Sequence, residues 1–317
     1  MCNNKRKIVL VGTGMVGMSF AYSALNQALC DELVLVDIDR KRALGEAMDL
    51  NHGVAFASSS MKIYAGEYSD CADADIVLIC AGVSQKPGES RLDLLKRNAS
   101  VFQSIIGPVT RSGFGGIFLV ATNPVDIMTR VTYELSGFNQ NRVFGSGTTL
   151  DTARLRYLLG EYFSVDPRNM HAYVIGEHGD SEFVPWSQAM IATKSVIDVC
   201  AQSDGAYRMD DVQKLSTQVR DAAQRIIEAK SATYYGIGMS LVRIARAVLS
   251  DENSVLTVSA RLRGEYGRRG LYAGVPCIVN RNGVDRVLEL NLTQEEEEKF
   301  SASCDILEES YQGLDLF

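Results

Sequence analysis

Lys7-Ile-Val-Leu-Val-Gly-Thr-Gly-Met-Val-Gly17 is the stretch whose reading decides the fold. Lys7 to Val11 form a short apolar run, the pattern of a parallel strand buried on both faces. Three glycines follow at once, at 12, 14 and 17, and lead into an amphipathic stretch over 15–28. A glycine turn between a strand and a helix is a phosphate cradle. Gly12 permits the tight turn, Gly14 lets backbone approach a pyrophosphate, and Gly17 allows close helix–strand packing, with Met15 and Val16 between them. The phosphates would sit at the positive end of the helix. Asp37 lies twenty residues beyond Gly17, at the predicted end of the second strand. A carboxylate there accepts hydrogen bonds from a ribose diol and repels a 2′-phosphate, which favours NAD over NADP.

Similar apolar runs recur at 33–36, 76–80 and 117–121, with amphipathic stretches at 40–52 and 91–112 between them. Alternating strand and helix predicts an α/β fold with a doubly wound parallel sheet. After about Gly145 the pattern changes. A helix is expected from Thr149, short strands around 171–176, and a long helical region over 208–249. Strands follow at 254–262 and 271–280, with a hairpin at Arg281-Asn282-Gly283. This second half reads as an α+β domain with antiparallel strands. The expected division is 1–145 for cofactor and 146–317 for substrate. Thr293-Gln-Glu-Glu296 matches a capping box, so the last helix is expected to begin there, its Glu295–Glu298 run complementing the helix dipole.

Composition narrows the class. The chain has 317 residues, 32 Lys and Arg against 39 Asp and Glu, and a net charge of −7. That balance argues against nucleic acid, whose phosphates need a basic partner surface. No apolar run reaches the length of a membrane span, and the start leads directly into a strand rather than a signal peptide. The cysteines, at 2, 30, 71, 80, 200, 277 and 304, form no CxxC pair. Disulfides and a zinc site are not expected, and a reducing cytoplasm fits best.

Candidate chemistry lies at the carboxyl ends of the predicted strands. Ala81-Gly82 leads into Gln85-Lys-Pro-Gly-Glu-Ser-Arg91, a loop able to close and bring a cation to a developing alkoxide, or else a solvated surface loop. Asn123 in Thr122-Asn-Pro-Val-Asp126 either donates to a ligand or caps the helix beginning near Pro124. X–Pro bonds are cis in only about 5–6% of cases, so the sequence favours trans at Asn123–Pro124. Asp151 and Arg154 share one helix face. They read as an ion pair, or as a carboxylate clamp through the arginine fork. His178, in Gly176-Glu-His-Gly-Asp180, is one of three histidines. If Asp151 bonds one ring nitrogen, the imidazolium is favoured and the other nitrogen can exchange a proton with a ketone.

Together these motifs resemble the lactate/malate dehydrogenase superfamily, in its bacterial L-lactate dehydrogenase branch. The matching stretches are Val11–Gly17, Ala81-Gly82, Gln85–Leu94, Ala121–Asp126, Thr148–Arg154, Gly176–Asp180 and Ala232-Thr-Tyr-Tyr-Gly236, in family order over nearly the whole chain. The resemblance implies His178 as proton donor and acceptor with Asp151 as its partner. It implies Arg154 on the substrate carboxylate, Arg91 polarising the carbonyl, and Asn123 near the reacting oxygen. Thr233 and Ile237 would line the substrate and nicotinamide pocket, with NAD held by Gly12, Gly14, Gly17 and Asp37. Gln85 stands where the malate branch has an arginine, which favours pyruvate over a second carboxylate. Arg156 and His171 match positions at which allosteric members bind fructose 1,6-bisphosphate between subunits, and the family implies a homotetramer. The remaining alternatives are another L-2-hydroxyacid dehydrogenase, acting on malate or a branched 2-keto acid, and a non-catalytic NAD-binding protein. Arg261, Arg263, Arg268 and Arg269 form a basic stretch, expected to be solvated surface.

Overall fold

A computed structural model describes residues 5–83, 88, 91–312 and 314. The first half runs β1 (Lys7–Val11), α1 (Met15–Asn26), β2 (Glu32–Val36), α2 (Arg40–Gly53), β3 (Lys62–Ala65), β4 (Ile76–Ile79), α3 (Arg91–Arg111), β5 (Ile117–Val120), α4 (Val125–Ser136) and β6 (Val143–Gly145). The second half runs α5 (Thr149–Phe163), β7 (Met170–His171), β8 (Met190–Ile191), β9 (Lys194–Ser195), α6 (Val196–Ala201), α7 (Met209–Lys230), α8 (Tyr235–Leu249), β10 (Ser254–Arg263), β11 (Arg269–Asn280), β12 (Gly283–Val287) and α9 (Gln294–Gln312).

Every residue of β1, β2, β4 and β5 is buried, which is why these strands read as continuous apolar runs. Helices cover both faces, so no alternation is left to read. β3 escaped the sequence reading because it is a half-exposed edge strand of four residues. β6 escaped it because it has only three.

The main sheet has the order β12-β11-β10-β6-β5-β4-β1-β2-β3. The six strands from β6 to β3 are parallel. Their order turns back between β4 and β1, and a crevice at such a switch point is where ligands bind in open α/β sheets. The antiparallel strands expected in a separate domain extend this same sheet. β10 pairs with β6 through Ser259↔Gly145, and β11 and β12 follow outward. The fold class stands, with the antiparallel part joined edge to edge to the parallel part. One large apolar core spans both halves, and a smaller one, including Leu155, Leu159, Phe163 and Val219, lies beneath α5 and α7.

Two departures from the sequence reading matter for the site. The helical region over 208–249 is broken at Ser231, which caps α7 with φ 69°, and α8 starts afresh at Tyr235. The break leaves Ala232–Tyr234 as a half-buried connection between the two helices. The peptide Asn123–Pro124 is cis, where the sequence favoured trans. At α9 the capping box forms as expected. Thr293 N–H donates to Glu296 Oε2 at 3.0 Å, and Glu296 N–H donates to Thr293 Oγ1 at 3.3 Å. Among the described residues, no helix is long and apolar enough to cross a membrane.

Candidate active site

The glycine turn lies at the carboxyl end of β1. Gly12 has φ +102°, and a Cβ there would meet Ala81 N at 2.5 Å, so the turn and the end of β4 are in direct contact. A Cβ on Gly17 would meet Gly12 O at 2.1 Å, while one on Gly14 would point into open space. The turn is therefore closed toward the protein and open toward solvent at the start of α1, the shape a pyrophosphate requires. Met15 is exposed and Val16 half-buried on that first helical turn. Thr122 Oγ1 donates to Ala81 O at 2.7 Å, tying the ends of β4 and β5 together beside Gly82. Asp37 follows β2, where Oδ2 accepts from Thr13 N–H at 2.7 Å and Thr13 Oγ1 at 2.8 Å. Those bonds hold its carboxyl below the usual range against the opposing effect of burial. A cleft of about 390 Å³, lined by Asp37, Arg40, Gly66, Glu67 and Tyr68 among others, opens beside it. The cradle, the acid and the cleft fit a dinucleotide.

The second group of residues is built around a hairpin. Ile175 and Phe183 pair across its base, and Gly176 exchanges two backbone hydrogen bonds with Gly274 of β11. Glu177 N–H donates to Ser303 Oγ of α9 at 2.8 Å. His178 stands at the tip, so a loop residue is held by two rigid elements. Its side chain is 25% exposed, leaving one ring edge open.

Asp151, on the first turn of α5, is buried to 1%. Its Oδ2 lies 2.7 Å from His178 Nδ1, and its Oδ1 accepts from an Arg154 Nη at 2.7 Å. The sequence left an Asp151–Arg154 ion pair and a carboxylate clamp by Arg154 as alternatives, and a histidine bond to Asp151 as a condition. The structure has the ion pair and the histidine bond on one carboxylate. Burial opposes charge on Asp151, but His178 and Arg154 outweigh it and hold the carboxyl below its usual range. Burial likewise opposes charge on His178, and the Asp151 carboxylate outweighs it, raising the imidazole to about 9. The imidazole is thus protonated at neutral pH, with Nδ1–H directed at Asp151 and the other ring nitrogen free to act.

The remaining expected residues fall around this pair. Asn123 is exposed at the end of β5. It does not cap α4, whose N-cap is Pro124 without a side-chain bond. Thr233 lies half-buried in the break between α7 and α8, and Ile237 half-buried on the first turn of α8. Gln85 lies outside the described residues. Arg91 opens α3, and its side chain is likewise outside them. Arg156 turns away from Arg154, donating from Nε to Ala172 O at 3.1 Å, its guanidinium 5.1 Å over Tyr173. It thereby lies one residue from the exposed His171 of β7.

Two carboxyls that the sequence did not single out enter the site. Glu182, four residues beyond His178, has Oε2 3.9 Å from His178 Nδ1 and a side chain only 5% exposed. Burial and the nearby Asp151 carboxylate push it up to about 8. Asp126, quoted above only as part of a motif, is buried and accepts from the His178 backbone N–H at 2.8 Å. Neither role has a local sequence signal, since each depends on a loop closing from far along the chain. The basic stretch is corrected in part: Arg263 and Arg269 are exposed as expected, while Arg261 and Arg268 are half-buried. Arg261 donates to Gln140 at 2.8 Å and packs on Tyr133, and Arg268 pairs with Asp305 of α9 at 2.6 Å. Arg261 thus fastens β10 to the 140 turn, and Arg268 fastens the connection before β11 to α9.

Residues 6–145 match the NAD binding domain of lactate/malate dehydrogenase, and residues 148–314 match the alpha/beta C-terminal domain of the same enzymes. The chain belongs to the lactate/malate dehydrogenase family. Its first half is accordingly an NAD-binding domain. Among family members, L-lactate dehydrogenase 2 of Bacillus anthracis is 54% identical over 304 residues, 96% of each chain. The solved lactate dehydrogenase MGS-M5, from a Medee basin deep-sea metagenome library, superposes with a TM-score of 0.96. It is 48% identical, with 98% of each chain covered. The ligand-bound minor L-lactate dehydrogenase of Enterococcus mundtii gives a TM-score of 0.97 at 45% identity, covering 99% of this chain and 100% of that one.

Proposed function

We propose that this chain is an NAD-dependent L-lactate dehydrogenase, interconverting pyruvate + NADH + H+ and L-lactate + NAD+. The observation that carries the reading is the Asp151 carboxylate, 2.7 Å from both His178 Nδ1 and the Arg154 guanidinium. It holds an acid ready beside a cation suited to a substrate carboxylate. The bound cofactor supplies the hydride. Arg154 orients pyruvate through its carboxylate by paired N–H bonds, and Arg91 polarises the ketone. His178 gives its free ring proton to the ketone oxygen as it becomes a hydroxyl, and takes it back in reverse. Asp151 keeps the imidazole in one orientation throughout. Asn123 lies near the reacting oxygen, and Thr233 and Ile237 line the pocket for substrate and nicotinamide. Gly12, Gly14, Met15, Val16, Gly17, Asp37, Ala81 and Gly82 hold the dinucleotide. In this reading residues 1–145 serve the cofactor and 146–317 the substrate.

A neutral Gln85 favours the methyl group of pyruvate, because a second carboxylate would be desolvated without a partner. The relatives named as L-lactate dehydrogenases, at 54% identity over nearly the full chain, support the same choice. The deciding experiment is NADH oxidation with pyruvate, oxaloacetate and 2-ketoisocaproate side by side. A hundredfold preference for either competitor, about 2.7 kcal/mol, would replace lactate with another 2-hydroxy acid. A His178→Asn variant should bind NADH normally yet turn over about 10²–10⁴-fold more slowly. Near-normal turnover would reject His178 as the acid, leaving a non-catalytic NAD-binding protein as the fallback if the parent chain is also inert.

Regulation and assembly extend the proposal. Arg156 near exposed His171 offers a cation and an imidazole donor to a sugar bisphosphate such as fructose 1,6-bisphosphate. A homotetramer is proposed on the family resemblance, with exposed Leu44, Met48, Tyr157, Tyr235 and Met239 supplying apolar area for contacts between copies, and a cytoplasmic location on the scattered, unpaired cysteine spacing. Pyruvate saturation with and without the bisphosphate, and the mass in solution, test these two points.

A further inference from the structure

Asp126 sits on the first turn of α4, three residues beyond Asn123, and is 2% exposed. An acid at that position ordinarily turns back to its own helix N–H groups. This one does not. Its Oδ2 accepts from the backbone N–H of His178 at 2.8 Å, and its Oδ1 accepts from Ser259 Oγ of β10 at 2.5 Å. One side chain thus joins the Asn123 turn, the histidine hairpin and the first antiparallel strand. Both partners are neutral donors, and among the described residues no lysine or arginine is bonded to it. A buried anion without a cation is costly, and a bridge alone would not require one. An asparagine could accept from His178 N–H and donate to Ser259 Oγ in the same geometry. The charge therefore needs a reason, and the positive group it interacts with is the imidazolium of His178, whose backbone N–H it already holds.

We propose that Asp126 is a positioning residue for the proton transfer, fixing the histidine hairpin against the Asn123 turn and placing a second negative charge behind His178. The inference rests on His178 being the acid. The charged groups around His178 are Asp151 from α5, Glu182 from its own hairpin and Asp126 from α4, with Arg154 on the far side of Asp151. Asp126 itself is near Glu177 and near Cys304 of α9. Burial holds Asp126 up to about 6, above its usual range, so its charge is present at neutral pH and lost in acid. The same charge helps raise His178, behind the larger contributions of Asp151 and Glu182. Asp126 never meets the substrate. It acts by deciding where His178 stands and how firmly the imidazole keeps its proton.

The test compares Asp126→Asn, Asp126→Ala, Ser259→Ala and His178→Asn in the full chain, reading kcat and kcat/KM for pyruvate from pH 5.5 to 10, with NADH affinity by fluorescence. Asp126→Asn should retain NADH affinity and move the alkaline limb of kcat/KM down by about half a pH unit. Asp126→Ala also loses the anchor, so its kcat should fall about 10- to 100-fold. Ser259→Ala keeps the charge and should leave the alkaline limb in place. An unmoved limb in Asp126→Asn, or an unchanged kcat in Asp126→Ala, overturns the inference. Near-normal turnover in His178→Asn overturns instead the assignment on which it rests.

Discussion

Replacing Asp151 with asparagine separates electrostatics from geometry in the proton-transfer pair. The side chain keeps its size and can still accept from His178 Nδ1–H across the observed 2.7 Å. What goes is the charge that outweighs burial and holds the imidazole at about 9 rather than its ordinary 6.5. That gap corresponds to about 3 kcal/mol of preference for the imidazolium. Without it, the imidazole should titrate at about 6.5 or lower, since burial now acts with less opposition. At pH 8 the protonated fraction then falls from about nine-tenths to about three-hundredths, roughly a 30-fold loss of competent enzyme. At pH 5.5 most of the imidazole is again charged, and that part of the deficit disappears. Steady-state NADH oxidation with saturating cofactor, from pH 5.5 to 10, measures kcat/KM for pyruvate. The expected result is an alkaline limb displaced downward by at least two pH units, with NADH affinity preserved. A loss of the same size at every pH would refute the reasoning, because it would mean that Asp151 only orients the ring.

Three further outcomes follow from other contacts. Glu182 is raised from 4.5 to about 8, so the folded state holds a proton that the unfolded chain releases, and stability should fall as pH rises through that window. In Glu182→Gln the melting temperature should decline less between pH 5 and 8 than in the parent; an identical decline would show that Glu182 ionises freely. Gly17→Ala places a Cβ against Gly12 O at 2.1 Å, and the overpacking should cost about 1–3 kcal/mol in denaturant unfolding and weaken NADH binding. Thr293→Ala removes the cap of α9 and should cost about 1 kcal/mol with little change in kcat, since the Thr293 hydroxyl bonds to the start of its own helix.

The parallel half was legible because its strands are buried on both faces and its glycines stand at fixed places in one turn. Asp37, Asp151, Arg154 and His178 were legible as residue types, but the pairing of Asp151 with His178 came from the family resemblance and not from their spacing. Nothing in the spacing between 151 and 178 says that a hairpin will return to the first turn of α5. That return depends on Gly176 bonding to Gly274, nearly a hundred residues away, and on Ser303 holding Glu177. Asp126 and Glu182 stayed hidden for the same reason, since an acid in a first helical turn or in a polar loop looks solvated until something distant covers it. The join between β6 and β10 was equally invisible. A three-residue strand carries almost no periodic signal, and its pairing with β10 rests on one registered contact, Ser259↔Gly145.

That shared edge has a consequence for anyone who would cut the chain at 145. β6 is interior only because β10 lies beside it, so residues 1–145 expressed alone would present β6 as a bare strand margin. Such margins recruit other strands, and the fragment should self-associate rather than serve as a portable NAD carrier. The cofactor half and the substrate half are distinct in what they bind, yet the sheet makes them one unit of folding, inherited or lost together.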